Sequence, residues 1–426
     1  MSIKRRNGSK RIRVGVFGGR RGINMVAIMA RHPSAELVAI CDANPTTLKR
    51  CRTLAAQHDV KITGYTDFEK FMHHDMDAVV LANYATEHAP FAVRLLDSGR
   101  HICSEVLACQ TLAEAVELVE AVERNKKIYA FAENYCYLRG TLEMQRLYRK
   151  GDIGQFLHGE GEYVHDCESI WTQITYGERN HWRNWAPSTF YCTHSIGPIV
   201  TITGTRPTRV TAYETPNVNK RRLGCRSADG AVIVCQMSNG ATMKALPWAN
   251  FKRHPEAVWY AIYGSKGMME TSRWDDTFNR VHVFREGDET SVKNLSYMPH
   301  FPAESDLSRR IGGHGGSDFY TMDYFLAAIR GEPQGRNIVD VYQALDMTLP
   351  GTLGYRSILE GNIPLDIPDL RNRRIRDPYR NDHWCLDPKR IGPGQPTRSC
   401  AAEDVKIPDT VYHKQQAEFQ KSCAAK

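Results

Sequence analysis

The chain has 426 residues, a length that exceeds one ordinary hydrophobic core and predicts two domains with a tail. Apolar residues make up 42% of the sequence and no run of 18 apolar residues occurs, which argues against a transmembrane helix and a membrane partner. The net charge of +8 is concentrated at residues 1–13 and 371–380, but no nucleic-acid-binding motif accompanies it, so we expect no nucleic-acid partner.

The cysteine pattern and the N-terminus bear on compartment and metal binding. There are twelve cysteines and no Cys-x-x-Cys pair, and single cysteines in apolar segments, such as Cys41, Cys103 and Cys235, predict free, mostly buried thiols. We predict no metal site because clustered ligand spacing is missing. The basic residues 1–13 are not followed by the apolar segment of a secretory signal, which predicts a cytoplasmic location.

Strand and helix patterns alternate along the first 135 residues. The apolar run at 11–17 predicts a buried strand that ends in glycines, and residues 35–42 predict a second strand. Further strands are predicted at 77–83, 100–105 and 128–134, and helices at 23–33, 88–99 and 111–127. Alternation of this kind is typical of a doubly wound parallel sheet, so residues 10–135 are predicted to form a Rossmann domain.

The turn after the first strand is rich in glycine and arginine: Gly18, Gly19, Arg20, Arg21 and Gly22. Glycines let backbone N–H groups approach a pyrophosphate, and the N-terminus of the next helix favours its charge. Asp42 follows Gly22 by 20 residues at a strand end, where an acid binds ribose hydroxyls and repels the extra phosphate of NADP. The sequence therefore predicts NAD, although the two arginines could also accept that phosphate. A tight turn with an exposed aspartate is the alternative.

Beyond residue 135 the predicted strands no longer alternate with helices. A helix is predicted at 141–150, strands at 156–166, 208–214, 231–237, 241–246 and 257–264, and helices at 315–331 and 338–361, the last interrupted at Pro350. Residues 136–365 are therefore predicted to form an α/β domain with a large, mostly antiparallel open sheet. Residues 366–426, rich in Arg, Pro and Asp, are predicted to be an extended arm over the surface or over a partner subunit.

Tyr191 and His194 lie three positions apart at the predicted start of a helix, with Thr193 as its cap. A helix N-terminus disfavours an imidazolium and favours a phenolate, so the two side chains could act as one acid and one base. These residues alone favour the alternative, a capping motif with a buried, hydrogen-bonded histidine.

Three further polar positions have two readings each. His165 and Asp166 could form a carboxylate–histidine relay or end a strand in a polar turn. Arg183 lies among tryptophans whose faces suit a sugar ring, or in a surface loop. His314 lies between glycine pairs, so it could approach a ligand closely or belong to a flexible turn.

Residues 77–108 resemble the central part of the Gfo/Idh/MocA oxidoreductases, and the similarity extends over roughly residues 11–365. Members of that family have a Rossmann domain followed by an α/β domain with a large open sheet. Its common dehydrogenases read Glu-Lys-Pro where this chain has Glu105, Val106 and Leu107. Their lysine is the usual acid/base residue, and valine cannot move a proton. Ordinary lysine-assisted alcohol oxidation is therefore not implied.

Six segments are similar to the NAD-dependent glycosidases of glycoside hydrolase family 109: SEV, AENYCY, GEYVHD, HWRNW, YCTHSIGP and GGHGGSDF. That family usually reads Tyr-Pro-Thr-His-Gly-Leu-Gly-Pro at the fifth segment, and here Cys192, Ser195 and Ile196 depart from it. The resemblance implies Tyr191 and His194 as catalytic residues and Tyr163 and Arg183 as sugar contacts. It also implies these cofactor contacts: Arg20, Arg21, Asp42, Ala85, Thr86, His88, Glu105, Val106 and Asn134.

Together, the residues and the resemblance predict an NAD-dependent glycosidase. It would cleave a glycoside by transient oxidation at C3, elimination at C1, addition of water and re-reduction. The alternatives are a sugar or glycoside dehydrogenase that releases NADH, and a catalytically silent NAD-binding scaffold. The expected ligand is a small carbohydrate, and the open sheet and the long tail are compatible with a homo-oligomer.

Overall fold

The computed structural model describes residues 10–247, 251–254, 256–274, 279–287, 295–300, 304–311 and 313–424. The basic residues Lys4, Arg5 and Arg6 of the N-terminus lie outside this part of the chain. The described residues form two compact units. The first is drawn from Met1–Gln110, Glu114–Leu138 and Phe301–Ala344, and the second from Thr111–Ala113, Arg139–His300 and Leu345–Lys426.

The strands in chain order are β1 Ile12–Phe17, β2 Ala35–Cys41, β3 Thr63–Tyr65, β4 Ala78–Leu81, β5 His101–Ser104, β6 Tyr129–Phe131, β7 Phe156–Val164, β8 Pro207–Glu214, β9 Ala231–Met237, β10 Thr242–Leu246, β11 Ala257–Gly264, β12 Gly267–Thr271, β13 Val281–Arg285, β14 Leu295–Tyr297 and β15 Leu365–Asp366. The α-helices are α1 Gly19–Met29, α2 Pro45–Ala56, α3 Phe68–Met72, α4 His88–Asp97, α5 Leu112–Asn125, α6 Arg139–Lys150, α7 Trp171–Ile174, α8 Thr193–Thr203, α9 Asp306–Ile311, α10 Ser317–Ile329, α11 Val341–Leu359 and α12 Asp409–Ala424. Among the residues that the structure describes, no helix combines the length and apolar character that a bilayer crossing needs.

The first unit contains a six-stranded sheet in the order β3-β2-β1-β4-β5-β6. Every pairing in it is parallel. All four residues of β4 are buried, as expected for a strand with helices on both faces of its sheet. The predicted doubly wound parallel sheet is thereby confirmed, and its strands end at the edge where the glycine turn lies.

The first unit also contains a segment from far along the chain. The sequence predicts residues 136–365 as one domain, whereas Phe301–Ala344 is grouped with the first unit. Two contacts give the physical reason: His32 Nε2 lies 3.0 Å from Asp323 Oδ1, and Phe131 pairs with Val339 in an isolated antiparallel bridge. Such a return of the chain leaves no local pattern in the sequence.

The second unit contains a nine-stranded sheet in the order β14-β13-β12-β11-β7-β10-β9-β8-β15. Only β7 and β10 pair in parallel, and the other neighbours are antiparallel, which confirms the predicted, mostly antiparallel sheet. The predicted break at Pro350 is wrong, because α11 runs through this proline. A proline removes only one backbone donor from a helix whose other residues are held by packing.

Residues 366–424 differ from the predicted extended arm. They contain short 3-10 turns and α12, and they pack on the second unit itself. Arg356 forms an ion pair with Asp382 at 2.8 Å, and the Tyr412 hydroxyl donates to the Gly224 carbonyl at 2.9 Å. All twelve cysteines are free thiols and eleven of them are buried, which agrees with the prediction from their scattered positions.

Candidate active site

The glycine turn of the first unit is too crowded for side chains. Gly18 has a φ of 95°, and a Cβ there would lie 2.3 Å from the Ala82 carbonyl oxygen. A Cβ on Gly22 would lie 2.8 Å from a methyl group of Val16. The turn therefore exposes backbone at the N-terminus of α1, which begins at Gly19. Backbone N–H groups in this setting fit the pyrophosphate of a dinucleotide.

Asp42 lies directly after β2 and faces this turn. The Gly19 N–H donates to Asp42 Oδ2 at 2.6 Å, and the Asn44 N–H donates to Oδ1 at 2.8 Å. Burial raises the pKa of Asp42, and these two backbone hydrogen bonds oppose that rise. The carboxylate is thus held in a fixed position beside the glycines, as ribose binding requires.

Arg21 is engaged with two carboxylates of the first unit. Its guanidinium donates to Asp318 at 3.0 and 2.8 Å, and its Nε lies 2.8 Å from Glu105 Oε1. Burial alone would raise the pKa of Asp318, but the charge of Arg21 and a hydrogen bond from His314 lower it well below its ordinary value. Because the guanidinium of Arg21 is bound to these two carboxylates, it is not directed at the extra phosphate of NADP, and the arrangement favours NAD. Arg20 is half-buried.

Asp318 also contacts two further residues that the sequence predicts as site residues. Asn134 Nδ2 donates to Asp318 Oδ1 at 3.1 Å, and His314 Nδ1 lies 3.0 Å from Oδ2. Burial lowers the pKa of His314, but the hydrogen bond and charge of Asp318 more than offset it, so the pKa is raised. The structure thus gathers Arg21, Asn134 and His314 around one acid, and Glu105 joins them through the Arg21 guanidinium. Sequence reasoning did not select Asp318, although it stands four residues after His314 in GGHGGSDF.

The other predicted cofactor residues of this unit are buried. Ala85 and Thr86 form a 3-10 turn ahead of α4, and Val106 is 5% exposed. His88 Nδ1 lies 2.8 Å from the Leu107 carbonyl and Nε2 lies 3.3 Å from that of Asn83. Burial lowers the pKa of His88 to about 4, so its ring is neutral at pH 7. A neutral imidazole carries a single N–H, so it donates to one of these two carbonyls, and the shorter contact is the one with Leu107.

In the second unit, Tyr191 and His194 lie at the start of α8. The cap residue is Cys192, without a side-chain capping bond, so the prediction of Thr193 as cap is wrong. Thr193 is instead the first helical residue, and His194 follows it one position into the helix. Tyr191 is half-buried and His194 is buried.

The aromatic cluster consists of Tyr163, Trp182, Arg183, Tyr191 and His194. The His194 ring meets the rings of Tyr163 and Tyr191 edge-on, at centroid distances of 4.7 and 5.0 Å. Trp182 stacks on Tyr191 at 6.0 Å, and the Arg183 guanidinium lies 4.3 Å over Trp182 and 5.2 Å over Tyr191. The cluster thus combines two side chains that can carry protons, several aromatic faces and one cation. These are the features that a polar, ring-shaped ligand requires.

A glycine in β7 makes this contact between β7 and α8 feasible. A Cβ on Gly161 would lie 1.8 Å from the Ser195 carbonyl oxygen, so only glycine permits the observed approach. Tyr163 follows Gly161 on the same face of β7 and therefore reaches the ring of His194. Across the sheet, the Tyr260 hydroxyl donates to the His194 carbonyl at 2.6 Å and fixes the start of α8.

His165 contacts the cluster through Tyr163. Its Nδ1 lies 3.2 Å from the Tyr163 hydroxyl, and its Nε2 lies 3.3 Å from Glu256 Oε2. A hydrogen bond with Cys167 raises the pKa of His165 and outweighs the opposing effect of burial. The carboxylate beside this histidine is Glu256 and not Asp166, which forms an ion pair with Lys252 at 3.1 Å. Glu256 was not found by sequence reasoning.

Residues 12–133 match the model of the Gfo/Idh/MocA family, an oxidoreductase family with an NAD-binding Rossmann fold. The chain is 26% identical over 406 residues to glycosyl hydrolase family 109 protein 1 of Bacteroides thetaiotaomicron, covering 84% of each chain. It is 25% identical over 410 residues to a glycosyl hydrolase family 109 protein of Saccharopolyspora erythraea, covering 86% of this chain and 85% of that protein. The resemblance drawn from the sequence is thereby confirmed.

Solved structures share the architecture. Levoglucosan dehydrogenase in complex with NADH superposes with a TM-score of 0.65 at 17% identity, covering 84% of this chain and 100% of that chain. An inositol dehydrogenase homolog from Azotobacter vinelandii, in complex with NADH and myo-inositol, gives 0.65 at 18% identity, covering 84% and 98%. These likenesses confirm the fold class, and the family match identifies the first unit as an NAD-binding Rossmann domain.

Proposed function

We propose that this chain, with its confirmed resemblance to the Gfo/Idh/MocA oxidoreductases, is an NAD-dependent glycosidase. The observation that carries the proposal is the contact between Tyr191 and His194, with ring centroids 5.0 Å apart. The absence of a lysine at position 106 and the similarity to glycosyl hydrolase family 109 proteins support it. The substrate would be a small carbohydrate held against Trp182 and Arg183.

NAD, when bound, supplies the reversible acceptance of a hydride from C3 of the sugar. The glycine turn and Asp42 would hold its pyrophosphate and adenosine ribose. The protein residues would move the protons: Tyr191 takes the proton of the C3 hydroxyl. The resulting ketone acidifies the hydrogen on C2, which His194 removes or helps to remove. Loss of that proton expels the group on C1. Water then adds at C1 while C2 regains a proton, and the C3 ketone regains the hydride and the proton held by Tyr191.

Turnover with an aryl glycoside and no added cofactor tests the proposal. Purified protein is expected to release sugar without accumulating NADH, because the hydride returns in each cycle. Stoichiometric NADH would instead establish a net dehydrogenase. Tyr191→Phe and His194→Ala are each expected to lower the rate by about 100-fold, as for loss of a general acid or base. Tyr213→Phe is the matched control, because Tyr213 is 58% exposed. Unchanged turnover in both cluster variants would favour a silent NAD-binding scaffold.

A further inference from the structure

The proposed cleavage needs more proton transfers than Tyr191 and His194 provide. These two residues account for the hydroxyl proton at C3 and the hydrogen on C2. The oxygen that leaves C1 must also gain a proton as its bond breaks, and the water that adds to C1 must lose one. An alkoxide is a poor leaving group, so an acid at C1 is worth about 10²–10⁴-fold in rate.

Three polar side chains in contact, Glu256, His165 and Tyr163, form a series that ends at the aromatic cluster. Glu256 Oε2 lies 3.3 Å from His165 Nε2, and His165 Nδ1 lies 3.2 Å from the Tyr163 hydroxyl. Tyr163 in turn lies against the rings of His194 and Tyr191, with centroid distances of 4.7 and 6.3 Å. One end of this series therefore meets the candidate substrate site.

The other end of this series of side chains is open to water. The side chains of His165 and Glu256 are 30% and 37% exposed, whereas Tyr163 is buried. Strand register explains the pairing: Val164, the last residue of β7, pairs with Ala257, the first residue of β11, in antiparallel register. His165, which follows β7, and Glu256, which precedes β11, are therefore the next pair of opposite residues. Residues that face each other across such a strand pair are direct neighbours.

The groups around His165 favour a proton on its ring. The hydrogen bond with Cys167 is the strongest influence that raises the pKa of His165, and the charges of Glu256 and Asp166 add to it. Asp166 is itself paired with Lys252, so Glu256 is the acid placed to receive a ring N–H. A carboxylate that orients an imidazole, which in turn contacts a reactive oxygen, is a recurrent arrangement for moving protons.

We infer that Glu256, His165 and Tyr163 form a proton relay that serves C1 of the sugar, an inference that rests on the proposed function. The Tyr163 O–H bond breaks as the leaving oxygen gains its proton, and the phenolate takes a proton from the His165 imidazolium. When water adds to C1, its proton returns through the Tyr163 oxygen to His165. Tyr163 is the group that touches substrate. His165 and Glu256 act through it as positioning residues.

Two glycosides of the same sugar separate this role from a structural one. A 4-nitrophenyl glycoside releases a phenolate that needs no proton, whereas a methyl glycoside does. His165→Ala and Glu256→Gln are expected to lower kcat for the methyl glycoside by about 100-fold. The loss for the 4-nitrophenyl glycoside is expected to be at least about tenfold smaller, because only the addition of water then uses the relay. His158→Ala is the control, because His158 is a histidine of β7, the strand that precedes His165, and its Nε2 lies 3.7 Å from Glu160. It is expected to leave both rates unchanged.

The outcomes are distinguishable. Equal losses on both glycosides in Glu256→Gln would overturn the relay and leave the proposed function standing. A wild-type protein that releases neither leaving group would overturn the proposed function and the relay together. If His165→Ala lowers the melting temperature, Glu256→Gln carries the test, because its partly exposed side chain keeps its size and loses only its charge.

Discussion

The approach of β7 to α8 gives the sharpest test of the candidate site. In Gly161→Ala, the new Cβ would lie 1.8 Å from the Ser195 carbonyl oxygen and 2.9 Å from its carbon. These are backbone atoms, so no side chain can rotate away, and strand and helix must separate by roughly 1.5 Å. Overpacking of this kind is expected to cost about 3 kcal/mol, at the upper end of its usual range. For a unit of this size, that lowers Tm by roughly 6–12 °C.

Gly159→Ala is the matched control, two residues earlier on the same face of β7. Its Cβ would lie 3.0 Å from a methyl group of Ile199, a side-chain atom that can yield, so we expect a loss of about 1 kcal/mol or less. Thermal unfolding followed by circular dichroism measures both variants. Turnover should fall only in Gly161→Ala, because His194 moves with α8. Equal melting temperatures for the two variants would refute the described packing.

Three further predictions concern stability. Asp318→Ala removes a fully buried acid that binds Arg21, His314 and Asn134. Arg21 keeps Glu105 as a partner, so urea unfolding should show a loss of about 1–3 kcal/mol. Asp306→Ala, at a 71% exposed side chain, should show almost none. Because the pKa of His88 falls to about 4 from its ordinary 6.5, the unfolded chain protonates first, and about 3 kcal/mol of stability present above pH 6.5 is lost as the pH falls towards 4. In a plot of the urea unfolding midpoint against pH, His88→Gln should have a smaller slope between pH 6.5 and pH 4 than the unsubstituted protein. An unchanged slope would contradict this prediction. Gly224→Ala, where φ is 86° and a tyrosine ring lies 2.9 Å from the new Cβ, should lower Tm more than Gly240→Ala, where φ is 87° and no atom lies within 4 Å.

Elements whose pattern is local could be predicted closely. Residues 231–237 and 257–264 were assigned as strands from sequence, and β9 and β11 have these bounds. In β9, buried and exposed residues alternate without exception, which is the periodicity that the sequence carries. The glycine turn and Asp42 were found in the same way, because a strand, a turn and a helix contiguous in sequence bring them together.

Partners brought from far along the chain could not be predicted. Arg21 and Asp318 are 297 residues apart, and nothing near Arg21 indicates which acid would bind its guanidinium. The sequence therefore allows Arg21 to bind the extra phosphate of NADP. That interpretation requires a guanidinium that is not already paired with a protein carboxylate. A partly buried arginine favours a carboxylate as its partner, but only the return of Phe301–Ala344 to the first unit decides that Arg21 receives Asp318.

The relay shows how strand register can decide chemistry that residue identities leave open. His165 has an acid next to it in sequence, and that adjacency suggested Asp166 as its partner. Successive side chains of an extended segment point to opposite sides, so an adjacent acid is poorly placed to share a hydrogen bond with its neighbour. Glu256, which directly precedes β11 and lies opposite His165, is well placed, and a slip of one position would turn it to the other side. The irregularity in this pairing falls between Tyr263 and Gly264, at the far end of β11, so it leaves the register beside His165 intact.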